Sequence, residues 1–408
     1  MKLSRTLFRA LLFFIIGVCL LPTITFAFDV TDGIRFGAFS VHPSIYTAMK
    51  YVDNIYFLPD DYKPTDQYAV PQSLESDFVY NFQPAVLFDV SIPTFTVQAG
   101  YRFYNDQYLG FDDQDEQHYK LNASNHTVTG LLDYQAPFGL LLKAQDSYTT
   151  QEAFEETKDY ADFLQGEQSH NDARGMVGFA HGPEDNIYIA YTYVNVQDRY
   201  DTFIAYDKNT QFHQGEMRLK FFPRTALVAR GGYGFIDYLR IQDYDATVYW
   251  GLGGLKGQIT KNLLLTLEGG YSHYDYSANE DGKGPIIESE LALLFPSNTK
   301  IAAGYRRQFM DSVSTNYYTS DQGYFTATRL WGSRLTTDLF VGYQYNEFSD
   351  PFPKHEDFYQ VKVDTTLRLI YWLYTGVGYQ MEMKTTDQDS DNFTTTRNVG
   401  LLKLLAQF

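Results

Sequence analysis

Leu263-Leu264-Leu265-Thr266-Leu267-Glu268-Gly269-Gly270-Tyr271 decides how this chain is read. Leu263, Leu265, Leu267, Gly269 and Tyr271 fall on one face of an extended segment, and Thr266, Glu268 and Gly270 fall on the other. Such period-two alternation marks a strand with one apolar and one polar face. The pattern returns along the chain: Phe95, Val97, Ala99, Tyr101 and Phe103 alternate with Thr94, Thr96, Gln98, Gly100 and Arg102. A Gly-Tyr pair recurs at Tyr101, Tyr233, Tyr271, Tyr305, Tyr343 and Tyr379, and the last five tyrosines are spaced 38, 34, 38 and 36 residues apart.

Composition narrows what such strands can build. Aromatic residues make up 17% of the chain, with 35 Tyr and 32 Phe, yet the mean hydropathy is −0.33. Past the N-terminus, no run approaches the ~20 apolar residues of a spanning helix. Strands that are aromatic-rich, mildly hydrophilic and alternating suit a transmembrane β-barrel, in which half of each strand faces lipid and half a polar lumen. Closure into a barrel also satisfies every backbone group, which lipid cannot do. Each repeated tyrosine comes seven to nine residues after a turn, about 20 Å up a tilted strand and near the aromatic girdle that edges a ~25 Å apolar band. Tyr101, Tyr233, Tyr271, Tyr305, Tyr343 and Tyr379 are therefore the candidate girdle.

The N-terminus reads as an address. Lys2, Arg5 and Arg9 precede an apolar run from Ala10 to Leu21 and then Thr25-Phe26-Ala27, the build of a secretory signal peptide over residues 1–27. Residues 28–408 are then the barrel. Cys19 is the only cysteine, so cleavage leaves neither a disulfide framework nor a thiolate metal site. A net charge of −18 disfavours nucleic acid, which needs basic patches.

Eight short turns punctuate the chain, at Pro93, Pro137, Pro183, Pro223, Asn262, Pro296, Gly332 and near Trp372. Nine longer acidic segments alternate with them, near 59–75, 107–117, 150–169, 198–211, 239–245, 275–285, 311–318, 348–357 and 386–391. That alternation demands eighteen antiparallel, up-and-down strands, with sixteen as the alternative; alternation is weakest over 311–331. An even count puts both termini on the short-turn, periplasmic side of an outer membrane. Leu402, Leu404, Ala406 and Phe408 share a face of the last strand, and the terminal Phe408 is similar to the signal read by the outer-membrane insertion machinery of Gram-negative bacteria.

Charges opposite the apolar face should line a wet lumen, because on the lipid face they would cost about 2–4 kcal/mol near the midplane. The candidates are Arg102, Lys143, Glu216, Arg218, Lys220, Arg230, Lys256, Glu268, Glu288, Glu290, Arg306, Arg329 and Arg368. Glu216-Met217-Arg218-Leu219-Lys220-Phe221 shows the logic, with three charges inward and three apolar residues outward. Inward Gly100, Gly232, Gly270, Gly304, Gly342 and Gly378 either widen the bore or seat neighbouring rings. No histidine pair has metal-ligand spacing. No nucleophile motif appears, so neither catalysis nor a cofactor is expected. Asp112-Asp113-Gln114-Asp115-Glu116 reads as a solvated loop, with Ca²⁺ binding through oxygen ligands as the alternative; the acidic residues of 152–167 form an acidic loop that either bridges to lipopolysaccharide through divalent cations or carries part of a gate.

Two stretches carry a resemblance. Arg35-Phe36-Gly37-Ala38-Phe39-Ser40-Val41-His42-Pro43 with Tyr51-Val52-Asp53-Asn54, and the ending from Arg397-Asn398-Val399-Gly400-Leu401 to Phe408, resemble the β-barrel porin type 2 family. The resemblance implies an outer-membrane conduit for exopolysaccharide, working with a periplasmic polysaccharide-export protein and carrying no catalytic residues. A porin for small solutes is the alternative, with segment 150–169 as its constriction, and an anchoring barrel is a third reading.

Overall fold

A computed structural model describes residues 33–55, 76–110, 122–154, 165–182, 186–201, 207–277, 281–312, 317–349, 353–388 and 391–408. The expected signal peptide and the acidic segment 59–75 lie outside them, as do 111–117 and 155–164, the middle of the candidate constriction; the ends of most other expected acidic loops are strand, and 239–245 is described throughout. The chain begins with a short strand, β1 (Ile34–Phe36), followed by β2 (Phe39–Val52), β3 (Asp77–Ile92), β4 (Phe95–Tyr108), β5 (Ala123–Gln135) and β6 (Leu140–Phe154). Next come β7 (Gln165–His181), β8 (Ile187–Tyr200), β9 (Lys208–Phe222), β10 (Thr225–Tyr238), β11 (Ala246–Thr260) and β12 (Leu263–Tyr276). The ring is completed by β13 (Gly282–Phe295), β14 (Thr299–Asp311), β15 (Tyr317–Trp331), β16 (Leu335–Phe348), β17 (His355–Ile370), β18 (Leu373–Gln388) and β19 (Asp391–Gln407).

Each strand from β2 to β19 pairs antiparallel with its sequence neighbour, and β19 pairs back onto β2. The result is the expected closed up-and-down barrel of eighteen strands, plus β1. The weakly patterned segment before Trp331 is a full strand, β15, paired on both sides. Long strands come from long alternation, and the short turns fall where the punctuating residues stand. Asn298 takes φ 54° in the turn between β13 and β14, a left-handed conformation that asparagine tolerates.

The closing seam brings the two ends of the chain together. β19 covers β2 only from Ser44 to Val52. β1 folds back through Gly37 and pairs with Phe39–Val41, filling the edge that β19 leaves open. Between them, the Phe408 N–H donates to the Pro43 carbonyl at 2.9 Å, and the Phe408 ring stacks on Trp372 at 5.1 Å. At the far end of the seam, Asp53 accepts from the Asn398 N–H and side-chain amide, both at 2.6 Å. Asn54 donates to the Thr396 carbonyl at 3.1 Å. The opening and closing stretches singled out in the sequence therefore clamp one another.

Packing is inverted relative to a water-soluble fold. Leu227, Tyr249, Leu267, Tyr271, Leu291 and Val377 are half or nearly half exposed, whereas Glu268, Glu356, Asp77 and Asn81 are at most 2% exposed. Partners across the ladder share a face. The register carries Leu227, Leu255, Leu267 and Ser289 on one outward row, while Val228, Gly254, Glu268 and Glu288 look inward. An outward apolar belt around inward polar groups is the arrangement that lipid selects.

Candidate functional site

The lumen wall is the candidate site. Register places Arg102 opposite Ala85, Lys143 opposite Asp133, and Lys220 and Lys256 on either side of Ala226. Glu216 lies opposite Arg230, and Arg218 opposite Val228. Glu288 lies between Glu268 and Arg306, Glu290 opposite Thr266, and Arg368 opposite Tyr374. All of these share the inward face.

Arg329 does not. It lies opposite Thr299 and Thr337, in the outward row with Phe325 and Ala327. Its guanidinium stacks 3.7 Å from the centre of the Trp331 ring. The position is two residues from the short turn, at the membrane edge, where an outward arginine costs only about 0–1 kcal/mol and a cation–π contact offsets it. Weak alternation in β15 hid this from the sequence.

Most inward charges are paired. Arg230 donates from Nε to Glu268 at 2.6 Å and from Nη2 to Glu288 at 2.5 Å. Arg218 bonds Glu216 and stacks over Tyr188. Tyr324 donates to Glu290 at 2.7 Å. Further pairs were missed in sequence: Lys354 and Lys384 on Glu356 at 2.9 and 3.3 Å, Arg397 on Glu382, Lys403 on Asp364, and Lys50 on Asp106. Apart from Lys354 and Glu356, two residues apart in sequence, these pairs join positions whose shared face becomes visible only with register. Among the described residues, Arg102, Lys143, Lys256 and Arg306 have no carboxylate within ion-pair reach.

Two glycines show different uses of missing bulk. A Cβ on Gly304 would sit 2.3 Å from the Tyr324 ring, so that glycine seats the tyrosine that reaches Glu290. A Cβ on Gly270 would sit 1.8 Å from the Gly251 carbonyl, so there the neighbouring strand's backbone takes the place of a side chain. Lys208 on β9 and Asp311 on β14 show that the wall is sharply curved. Four strands lie between them, so their positions are five inter-strand steps apart along the wall, about 24 Å at ~4.8 Å per step, yet Nζ and Oδ2 are 3.0 Å apart. Tyr238 donates to the same carboxylate at 2.7 Å. The ends of both strands had been expected inside long acidic loops. Behind this corner Ile236, Tyr238, Ala246, Val248 and Tyr276 form a buried apolar cluster, with Phe212, Trp250, Tyr274 and Tyr317 packed on it.

All six repeated tyrosines face outward, 37–53% exposed. Several make one contact in common. Tyr101 to His126 (2.8 Å), Tyr343 to Asp357 (2.5 Å), Tyr379 to Asn398 (2.5 Å) and Tyr305 to Asp321 each link the phenol to a residue two positions beyond its register partner, on the long-loop side. Tyr191 makes the same bond to His213 at 2.6 Å. The tyrosines therefore point their polar ends away from the apolar belt, as amphipathic rings at an interface do.

No family model matches the sequence, and no curated protein matches it. Solved structures do. The siderophore receptor PirA from Pseudomonas aeruginosa is 8% identical with a TM-score of 0.43, over 90% of this chain and 80% of that one. The siderophore receptor PirA from Acinetobacter baumannii is 6% identical with a TM-score of 0.46, over 90% and 80%. The alcaligin outer membrane receptor FauA from Bordetella pertussis is 10% identical with a TM-score of 0.41, over 90% and 76%. None of these likenesses carries a ligand or a partner to this chain. The closed eighteen-strand ring, its outward apolar belt and its polar interior stand on their own. The chain is an outer-membrane β-barrel.

Proposed function

We propose that the barrel is a conduit for a hydrophilic sugar polymer, a member of the β-barrel porin type 2 group whose opening and ending it resembles. The observation that supports this best is the neutralised polar wall. Inward arginines and lysines are mostly held by inward carboxylates, leaving hydrogen-bonding groups of both kinds along the lumen. A sugar chain can exchange its water hydrogen bonds for wall hydrogen bonds at little net cost. The reaction is passage without chemistry, fed from the short-turn side by a periplasmic polysaccharide-export protein.

One observation favours the small-solute alternative. Lys143 and Lys256, near the short-turn rim, have no carboxylate partner among the described residues, and such a rim would draw small anions. Proteoliposomes bearing the full chain and loaded with labelled oligosaccharides of graded length distinguish the two. The polymer conduit releases long oligomers at rates that fall slowly with length. Release that stops beyond two or three sugar units favours the small-solute porin and overturns the conduit.

A further inference from the structure

Rings inside a wet lumen call for an explanation, because an apolar side chain gains more on the lipid face. The cluster behind the Lys208–Asp311 corner leaves one ring incompletely covered. Trp250 packs against it yet stays half-buried, bordering a cleft of about 290 Å³ that opens to the lumen. Tyr274 and Phe309, whose rings stack at 6.1 Å, line the same cleft.

Around the ring plane stand polar groups in several states. Arg230 is locked by Glu268 and Glu288. Arg306, also lining the cleft, has no carboxylate within ion-pair reach among the described residues. Gln214 and Gln308 add amide donors and acceptors. Ser272, opposite Trp250 in register and 3% exposed, holds a hydroxyl with no hydrogen-bond partner.

A flat apolar platform edged by donors and acceptors matches one ligand class closely. A pyranose ring has an apolar C–H face and a rim of hydroxyls. Resting on Trp250, it would shield the indole from water, while its rim reaches the two glutamines and Arg306. A site for a metal or a small inorganic ion would have no use for the rings. A greasy ligand would strand Arg306. We infer that this cleft is a saccharide-binding subsite, one sugar unit in size, that holds the polymer during passage. The inference rests on the conduit reading and adds to it a place and a platform.

The three tryptophans make the test specific. Trp331 faces lipid and Trp372 stacks on Phe408, so Trp250 is the only one bordering this cleft. The full-length barrel in detergent is titrated with α-1,4-glucose, β-1,4-glucose and galacturonate hexamers while tryptophan emission is followed. The expected result is a saturable emission change with at least one hexamer, lost in Trp250→Phe. Arg306→Gln should weaken the midpoint about tenfold, as loss of one charged hydrogen bond implies. Retained folding of each variant is checked by its resistance to unfolding in sodium dodecyl sulfate. A wild-type barrel that responds to none of the three, or a response that survives in Trp250→Phe, overturns the subsite. Oligosaccharide release from proteoliposomes reports separately on the conduit: release without an emission change sinks the subsite alone, whereas no release sinks the conduit itself.

Discussion

Arg230→Met is the sharpest perturbation of the lumen wall. Glu268 is 2% exposed, and Arg230 is its only ion-pair partner among the described residues. Glu288 shares that guanidinium but is 37% exposed. At a charge separation near 4 Å and an effective dielectric of about 20, one pair attracts by about 4 kcal/mol. The Glu288 share is screened by solvent and adds little, so most of the effect comes from Glu268. Stranding a buried charge costs about 3–5 kcal/mol, and that is the predicted loss. Equilibrium unfolding in urea, with the barrel folded into lipid vesicles at pH 8, measures it. Replacing the carboxylates as well, in Arg230→Met/Glu268→Gln/Glu288→Gln, should recover most of the loss, because the penalty lies in the uncompensated charge rather than in the missing attraction. A single variant within 1 kcal/mol of wild type would refute the reasoning. So would a triple variant as unstable as the single one.

Three further outcomes follow from the same structure. Gly304→Ala drives a methyl group into the Tyr324 ring and should destabilise by about 1–3 kcal/mol; Tyr324→Leu in that background should relieve part of it, as the same unfolding assay would show. Asp53→Ala removes two hydrogen bonds from the closing seam and should cost about 1.5–3 kcal/mol for each bond lost to the carboxylate, with faster amide exchange in β2 and β19 than elsewhere. Lys208→Met with Asp311→Asn releases the cross-lumen corner without stranding either charge, so single-channel conductance in planar bilayers should rise; an unchanged conductance would mean the corner does not limit the bore.

How much of this was legible in the sequence follows from what each pattern encodes. Alternation is local, and Leu263–Tyr271 alone reveals its two faces. Turns are local too, so Pro93, Pro223, Asn262 and Pro296 mark the hairpins and fix the strand count. Inward charges were readable wherever alternation was clean, as in Glu216–Phe221, and misread at Arg329 where it was not. Pairing was less accessible. The Arg230 triad joins strands β10, β12 and β13, and the Lys208–Asp311 contact depends on the curvature of the whole wall. Those partners are 103 residues apart, and both stand where acidic composition had suggested loop. Asp53 and Asn398, 345 residues apart, could be picked out as motif residues, but their meeting at the seam required the closed ring.

Transport of a sugar polymer across the outer membrane is most directly tested in the producing cell. The gene is deleted, and surface and periplasmic polysaccharide are measured separately, with the intact gene restored as a control. The account predicts that surface polymer falls while periplasmic polymer accumulates, and that restoration reverses both. Two unchanged pools would contradict it.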